Sequence, residues 1–170
     1  MKQKSVTALT IVGILRRHFE PTLEMLRQTI RACPEELWDA RDEGPAFWQY
    51  AYHTLFWLDA WLSDSPEAFQ APPFHTRDAL LEAGETPSVT YSREQIEAYL
   101  EQVYAKCATF FEGLTLDTLT QESEFFERTW AGGDKVFGQL RHVQHHVGHM
   151  NALLRRKTGQ APGWVGYNET

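Results

Sequence analysis

Four of the seven histidines in this chain fall within eight positions of the stretch LRHVQHHVGHMNALLRR at 140–156. Neutral imidazole is a preferred ligand of Zn²⁺ and similar divalent ions. Two ligands on one helix can share an ion when they stand four residues apart, because that spacing places their side chains about 5–6 Å from each other. His142 with His146, and His145 with His149, both have this spacing. The cluster therefore indicates a metal site, with solvated histidines on a polar helix face as the alternative.

The apolar stripe of the same stretch distinguishes the two pairs. On a helical wheel the four histidines occupy an arc of roughly 100°, with His146 nearest the stripe and His145 farthest from it. The stripe consists of Val136, Leu140, Val143, Val147, Met150 and Leu154. Helical bundles build their metal sites from side chains that face the core. Burial therefore favours His142 and His146 as ligands, and His145 is predicted to be the most exposed of the four.

A third ligand must come from another helix, and the strongest candidate is His53. It lies in FWQYAYHTLFWLDAWL at 47–62, which is apolar nearly all round and predicts a helix with little exposed surface. A lone histidine on such a helix is more often a hydrogen-bonded core residue, but an inward-facing histidine pair elsewhere favours a ligand. Three imidazoles leave a fourth coordination position open, which suits a catalytic ion that acidifies water or binds a thiolate.

The sequence identifies no catalytic side chain beyond these ligands. His149, expected to face inward about one turn further along the last helix, is a candidate for orienting a metal ligand. Asp59, on the helix of His53, is a second candidate for the same role. If Asp59 instead faces solvent, it is an ordinary surface carboxylate, and both interpretations stay open.

Four helices are predicted to position these residues. Apolar residues recur at three and four positions in segments that end near Cys33, Leu62, Gly113 and Gly159. Pro21 should kink the first helix or split it. The acidic segment 34–47 reads as a loop with at most a short helical turn, and no segment shows the sustained alternation of a sheet. An all-α four-helix bundle is therefore expected.

The connection between the second and third helices is unusually long. Residues 63–91 include Pro66, Pro72, Pro73 and Pro87. Long connections in compact domains are usually functional or lie across the surface, so this one could cover one end of a pocket. It also leaves room for a helix order other than simple up and down.

The bulk properties indicate one domain over 1–170, large enough to form a core without disulfides or a structural metal. The net charge of −7 disfavours nucleic acid as a partner. Cys33 and Cys107 form no CxxC pair, which fits a reducing, cytoplasmic location. The N-terminal run 1–19 is interpreted as a first helix, not a signal peptide, and no apolar segment has the length of a membrane span.

The histidine pattern resembles that of the DinB-like family, also called DinB/YfiT-like metalloenzymes. Its members carry a histidine on the second helix and a motif of the form HxxxHxGQ or HxxHHxxH on the last long helix. HVQHHVGH at 142–149 fits the second form, and AYHTLFWLDAWL at 51–62 is similar to the second-helix segment. Against the first form, His149 stands where glutamine is common. The resemblance implies His53, His142 and His146 as the metal ligands.

The resemblance also implies a four-helix bundle, often a homodimer, that binds Zn²⁺ or Ni²⁺. Relatives include thiol transferases and isomerases that use low-molecular-weight thiols such as bacillithiol or mycothiol, so a small-molecule substrate or thiol is the expected partner. The first hypothesis is therefore a metal-dependent enzyme, a thiol transferase or hydrolase-like protein, with an open position at its three-histidine site. The alternative is a non-catalytic metal-binding or partner-binding bundle that uses exposed aromatic residues such as Trp38, Trp130 and Trp164. Tryptophans in loops are, however, more often lids over a small core than partner contacts.

Overall fold

The computed structural model describes residues 10–42 and 44–166, so the predicted start of the first helix at Leu9 lies outside the described residues. The helices are α1 (Ile11–Arg31), α2 (Glu35–Trp38), α3 (Phe47–Trp61), α4 (Arg93–Gly113), α5 (Leu116–Thr120) and α6 (Gly132–Thr158). The strands are β1 (Glu122–Phe125) and β2 (Arg128–Ala131), which form one hairpin. The expected all-α fold is confirmed, with α1, α3, α4 and α6 as its four long helices.

The four long helices pack in the ring order α1, α4, α3, α6. Consecutive long helices of a simple up-and-down bundle lie side by side. Here α1 and α3 occupy opposite corners of the bundle, and so do α4 and α6. Segment 32–46 connects α1 to α3 and segment 114–131 connects α4 to α6, so both join opposite helices. The long connection 63–91 instead joins the neighbouring helices α3 and α4. This order places α3 directly against α6, the helix of the histidine cluster.

Local sequence signals begin and end the helices. The Thr10 hydroxyl accepts a hydrogen bond from a backbone N–H in the first turn of α1. Ser92 and Gln95 form the predicted capping box of α4. At the end of α6, Gly159 has a φ of 77°, a conformation that favours glycine. Pro21 lies inside α1 and does not split it.

The second long helix, α3, is buried on almost every side, as its sequence predicts. Its fully buried side chains include Phe47, Trp48, Tyr52, Leu55 and Leu58. Burying a large apolar side chain contributes about 1.5–3 kcal/mol relative to leaving it exposed. Because protein cores are closely packed, the shapes of these large side chains fix the rotation of α3 about its own axis, and with it the direction in which His53 points.

The β-hairpin between α5 and α6 is an element that the sequence did not predict. Its strands pair from Glu122 with Ala131 to Phe125 with Arg128. The two-residue turn has positive φ at both positions, 48° at Phe126 and 61° at Glu127. Positive φ at both central residues defines a type I′ turn, which usually contains asparagine and glycine. The strands of four residues are too short for a clear alternating pattern, and the turn lacks its usual residues.

The long connection 63–91 packs back onto the bundle through polar and aromatic contacts. The Tyr52 hydroxyl lies 2.7 Å from Nδ1 of His75, and the Tyr91 hydroxyl accepts a hydrogen bond from the Thr76 backbone N–H at 2.8 Å. Two short 3₁₀ turns follow, Arg77–Ala79 and Leu81–Ala83. The second of these turns lies against α3 and carries an acidic residue to the histidine cluster.

Candidate metal centre

Three histidines from two neighbouring helices meet inside the bundle. His53 projects from α3, while His142 and His146 project from one face of α6. Nε2 of His142 lies 3.3 Å from Nε2 of His53, and one ligand nitrogen of each histidine lies within 4.8 Å of the other two. Two nitrogens bound to one tetrahedral Zn²⁺ at about 2.0–2.1 Å stand roughly 3.3 Å apart. The set therefore needs only small side-chain movements to close around one ion.

Burial keeps two of these imidazoles neutral. Desolvation, followed by the neighbouring histidines, lowers the pKa of His142 to about 4 and that of His146 to about 3. Metal ligation requires the deprotonated imidazole, so neither group has to release a proton at neutral pH. Nδ1 of both rings is buried and has no hydrogen-bond partner within the described parts of the chain. A neutral imidazole has a proton on one ring nitrogen and a lone pair on the other, so each of these rings can offer one lone pair to a cation.

Glu82 adds a carboxylate behind the site, and the sequence did not identify it. Its Oε2 lies 3.1 Å from Nδ1 of His53, while 53 % of the Glu82 side chain stays exposed. Burial alone raises the pKa of Glu82, but hydrogen bonding led by His53 outweighs that effect and lowers it. A carboxylate at Nδ1 holds the proton on that nitrogen, so the lone pair of Nε2 faces His142 and His146.

The other two histidines of α6 lie outside this group. His145 is exposed, as predicted, and its ring contacts only the edge of the site at His146. The prediction that His149 faces inward is wrong, because its side chain is exposed and its ring stacks on Tyr50 with centroids 4.4 Å apart. Among the described residues no hydrogen bond joins His149 to a histidine of the site, whereas Glu82 lies within hydrogen-bond distance of His53.

Asp59 also differs from both sequence interpretations. It faces α4, where its carboxylate accepts hydrogen bonds from the Tyr99 hydroxyl and from Nζ of Lys106. Only 13 % of its side chain is exposed. Asp59 is therefore neither a solvated surface carboxylate nor a partner of His53. It joins α3 to α4 on the side of the bundle away from α6.

The histidine group opens onto a cavity of about 390 Å³. His53, His142 and Glu82 are among the residues that line this cavity. Four aromatic side chains, which we call the aromatic wall, also line it: Trp57, Trp61, Phe126 and Trp130. A small molecule in the cavity would therefore lie beside two of the three candidate ligands and against an apolar surface.

The aromatic residues suggested for partner binding have different positions in the structure. Trp38 is buried, and its indole N–H donates a hydrogen bond to the Tyr91 carbonyl at 2.9 Å, so it covers the core and is not an exposed partner contact. Trp130 is partly buried in the aromatic wall. Trp164 is 79 % exposed and agrees with the expectation.

Comparison with known proteins agrees with the arrangement of helices and histidines. A sequence model of the DinB superfamily matches residues 18–150, which include His53, His142 and His146. Comparison with curated proteins and with solved structures found no match. Because the matched segment extends over most of the chain and includes all three candidate ligands, this protein belongs to the DinB superfamily.

Proposed function

We propose that this protein is a metal-dependent enzyme that binds a divalent ion, Zn²⁺ or Ni²⁺, through His53, His142 and His146. It would act on a small molecule as a thiol transferase or a hydrolase. The main support is the meeting of three histidines, two of which, His53 and His142, line a cavity. Structural zinc sites have four protein ligands and are closed, whereas catalytic sites have three and an open position.

Each part of the site has a defined task in this proposal. Glu82 holds the proton of His53 on Nδ1, so that Nε2 is free to bind. Burial keeps His142 and His146 deprotonated. The aromatic wall excludes water from one side of the cavity. A bound divalent ion supplies a positive charge that acidifies water or stabilises a thiolate.

Metal analysis tests the ligand set. We expect the purified protein, loaded with Zn²⁺ or Ni²⁺ and dialysed, to hold about one equivalent, as one three-histidine site requires. His53→Ala and His146→Ala should each lose most of that metal. His145→Ala is the matched control, because His145 lies on the same helix but is exposed. Unchanged metal content in both ligand variants would exclude the three-histidine site.

Activity assays separate the enzyme from its alternative. The metal-loaded protein should conjugate a low-molecular-weight thiol, bacillithiol or mycothiol, to a generic electrophile, or hydrolyse a generic ester. Activity should disappear in His53→Ala and persist in His145→Ala. A protein that holds its metal but stays inactive with several thiols and esters would favour a non-catalytic binding bundle, for which the exposed Trp164 is a contact candidate.

Several expectations from the sequence stay predictions. They are the single domain over 1–170, the homodimer, the cytoplasmic location and the absence of a nucleic-acid partner. Within 10–42 and 44–166, no helix has both the length and the apolar character to cross a bilayer.

A further inference from the structure

The turn of the β-hairpin places an aromatic ring at the cavity that contains the histidine site. The Phe126 ring packs edge-on against Trp57 and against Trp61, with centroid distances of 5.5 Å and 5.3 Å. Trp61 also contacts Trp130, whose ring centroid lies 5.1 Å away. The four rings of the aromatic wall are thus one connected cluster that joins α3 to the hairpin. Phe126 nevertheless stays 39 % exposed, so part of its ring is available to a ligand.

The backbone that presents Phe126 is strained. Phe126 and Glu127 both adopt positive φ, which is costly for residues with a side chain. Asparagine and glycine would satisfy a type I′ turn at lower cost. Strained residues of this kind persist where the surrounding structure holds them, and they are concentrated at ligand sites. The turn thus carries an aromatic ring where hairpin stability alone would favour a small residue.

A polar side chain within the same cavity has an unused hydrogen-bonding group. Gln139 is only 6 % exposed and lines the cavity one turn before His142. Its Oε1 is buried and has no hydrogen-bond partner among the described residues. A buried carbonyl oxygen without a partner costs free energy, which a ligand donor would recover. The cavity thus combines an apolar wall with one free acceptor and with the histidine site.

With a divalent ion at the histidines, the charged groups around the cavity do not favour a cationic ligand. The Glu82 carboxylate is engaged by His53, and the Asp134 carboxylate accepts a hydrogen bond from the Ala131 backbone N–H at 3.3 Å. Lys135 contributes an ammonium group to the lining. These two carboxylates outnumber the one ammonium, and a divalent ion at the histidines would make the sum of the charges positive. The aromatic wall therefore faces a neutral or anionic ligand.

We propose that the aromatic wall is the subsite for a small aromatic substrate, neutral or anionic, whose polar end reaches the three-histidine site. This proposal rests on the proposed function, because the metal site would orient the substrate. The aromatic wall would determine which substrates bind. The cavity of about 390 Å³ has room for one ring with a short polar substituent. The ring packs against Trp61 and Phe126, and a donor on the same molecule bonds to Gln139.

Two metal-binding fragments with the same head group test the subsite. Benzohydroxamate and acetohydroxamate bind metals through the same atoms and differ in the phenyl ring. On the Zn²⁺-loaded protein, titration calorimetry should show benzohydroxamate binding about tenfold more tightly, because its ring is partly buried. Equal affinities on protein of confirmed metal content would overturn the subsite and leave the metal site intact.

A pair of turn variants separates ring contact from folding. Phe126→Asn with Glu127→Gly installs a favourable type I′ turn and removes the aromatic ring. Glu127→Gly alone relaxes the turn and retains the ring, so it is the matched control. The preference for benzohydroxamate should fall at least about threefold in the double variant, in proportion to the apolar contact removed, and persist in the control. The same preference in both variants would contradict the role of Phe126.

A further arm covers the case in which the protein holds no metal. 1-Naphthol cannot chelate an ion, and it should then still quench the tryptophan fluorescence of the metal-free protein and of Glu127→Gly. It should bind about threefold more weakly, or weaker still, to the double variant, which lacks the Phe126 ring. That result would support the subsite although the metal proposal had failed. No saturable quenching by 1-naphthol would overturn the subsite.

Discussion

Removal of the Glu82 carboxylate should weaken metal binding without unfolding the protein. Glu82 accepts a hydrogen bond from Nδ1 of His53 at 3.1 Å and so fixes the tautomer that presents Nε2 to the site. Loss of such a partner behind a metal ligand typically lowers metal affinity 10- to 100-fold, about 1.4–2.7 kcal/mol. Because 53 % of the Glu82 side chain is exposed, water replaces part of the lost bond. We therefore expect the lower limit, about tenfold, for Glu82→Ala.

Glu82→Gln should weaken metal binding less than Glu82→Ala does. Glu82→Gln retains an oxygen that accepts from Nδ1 but loses the negative charge, and hydrogen bonds to charged groups are roughly twice as strong as neutral ones. Its metal affinity should fall about threefold, between those of the wild-type protein and Glu82→Ala. Glu85→Ala is the matched control, because Glu85 is an exposed carboxylate in the same connection.

The assay is competition for Zn²⁺ against a chromophoric chelator at pH 7.5, with thermal unfolding in EDTA as the measure of folding. Equal melting temperatures in EDTA and a tenfold difference in affinity would assign the effect of Glu82→Ala to the site. Unchanged affinity in Glu82→Ala would refute the orienting role of Glu82. A loss of the same size in Glu85→Ala would attribute the effect to overall charge instead.

Three further predictions concern other parts of the molecule. Burial raises the pKa of the Cys33 and Cys107 thiols to about 12, so at pH 8 both stay protonated, and a thiol reagent should label them slowly in the native protein and fully in urea. Glu127→Gly should raise the free energy of unfolding by about 0.5–1 kcal/mol in urea titrations, because glycine adopts positive φ without the strain that glutamate has there. An unchanged urea midpoint would count against strain in the turn. Asp59→Ala should lower the free energy of unfolding by about 1–3 kcal/mol, because Lys106 loses its carboxylate partner. Its metal content should stay at the wild-type level. Metal loss from the folded variant would contradict the placement of Asp59 away from the site.

The helices and the histidine group were predictable because both depend on the 3.6-residue periodicity of residues within a single helix. Apolar residues at every third and fourth position set the four long helices, and the four-residue spacing of His142 and His146 placed them on one face. The nearly continuous apolar character of α3 indicated that His53 is buried. These inferences need only the geometry of a single segment.

The features that were missed depend on contacts between segments. A helical wheel gives the angle between Asp59 and His53 but not which neighbouring helix each residue faces, and here α4 takes the first and α6 the second. Glu82 reaches His53 across 29 positions from a connection without periodicity. His149 turned outward to stack on Tyr50, a contact between two helices that no pattern within α6 encodes.

The diagonal placement of consecutive helices has a consequence for how metal and stability are linked. Two of the candidate ligands, His53 and His142, are 89 positions apart in sequence and lie on two helices that pack directly against each other in the fold. In the unfolded chain the closure of so long a loop is entropically costly, so an ion would bind the native state far more tightly than the unfolded state. Zinc at a concentration 100 times its dissociation constant would then add about 2.7 kcal/mol to the unfolding free energy. The ion would link α3 to α6, and the free energy of unfolding would rise with the zinc concentration.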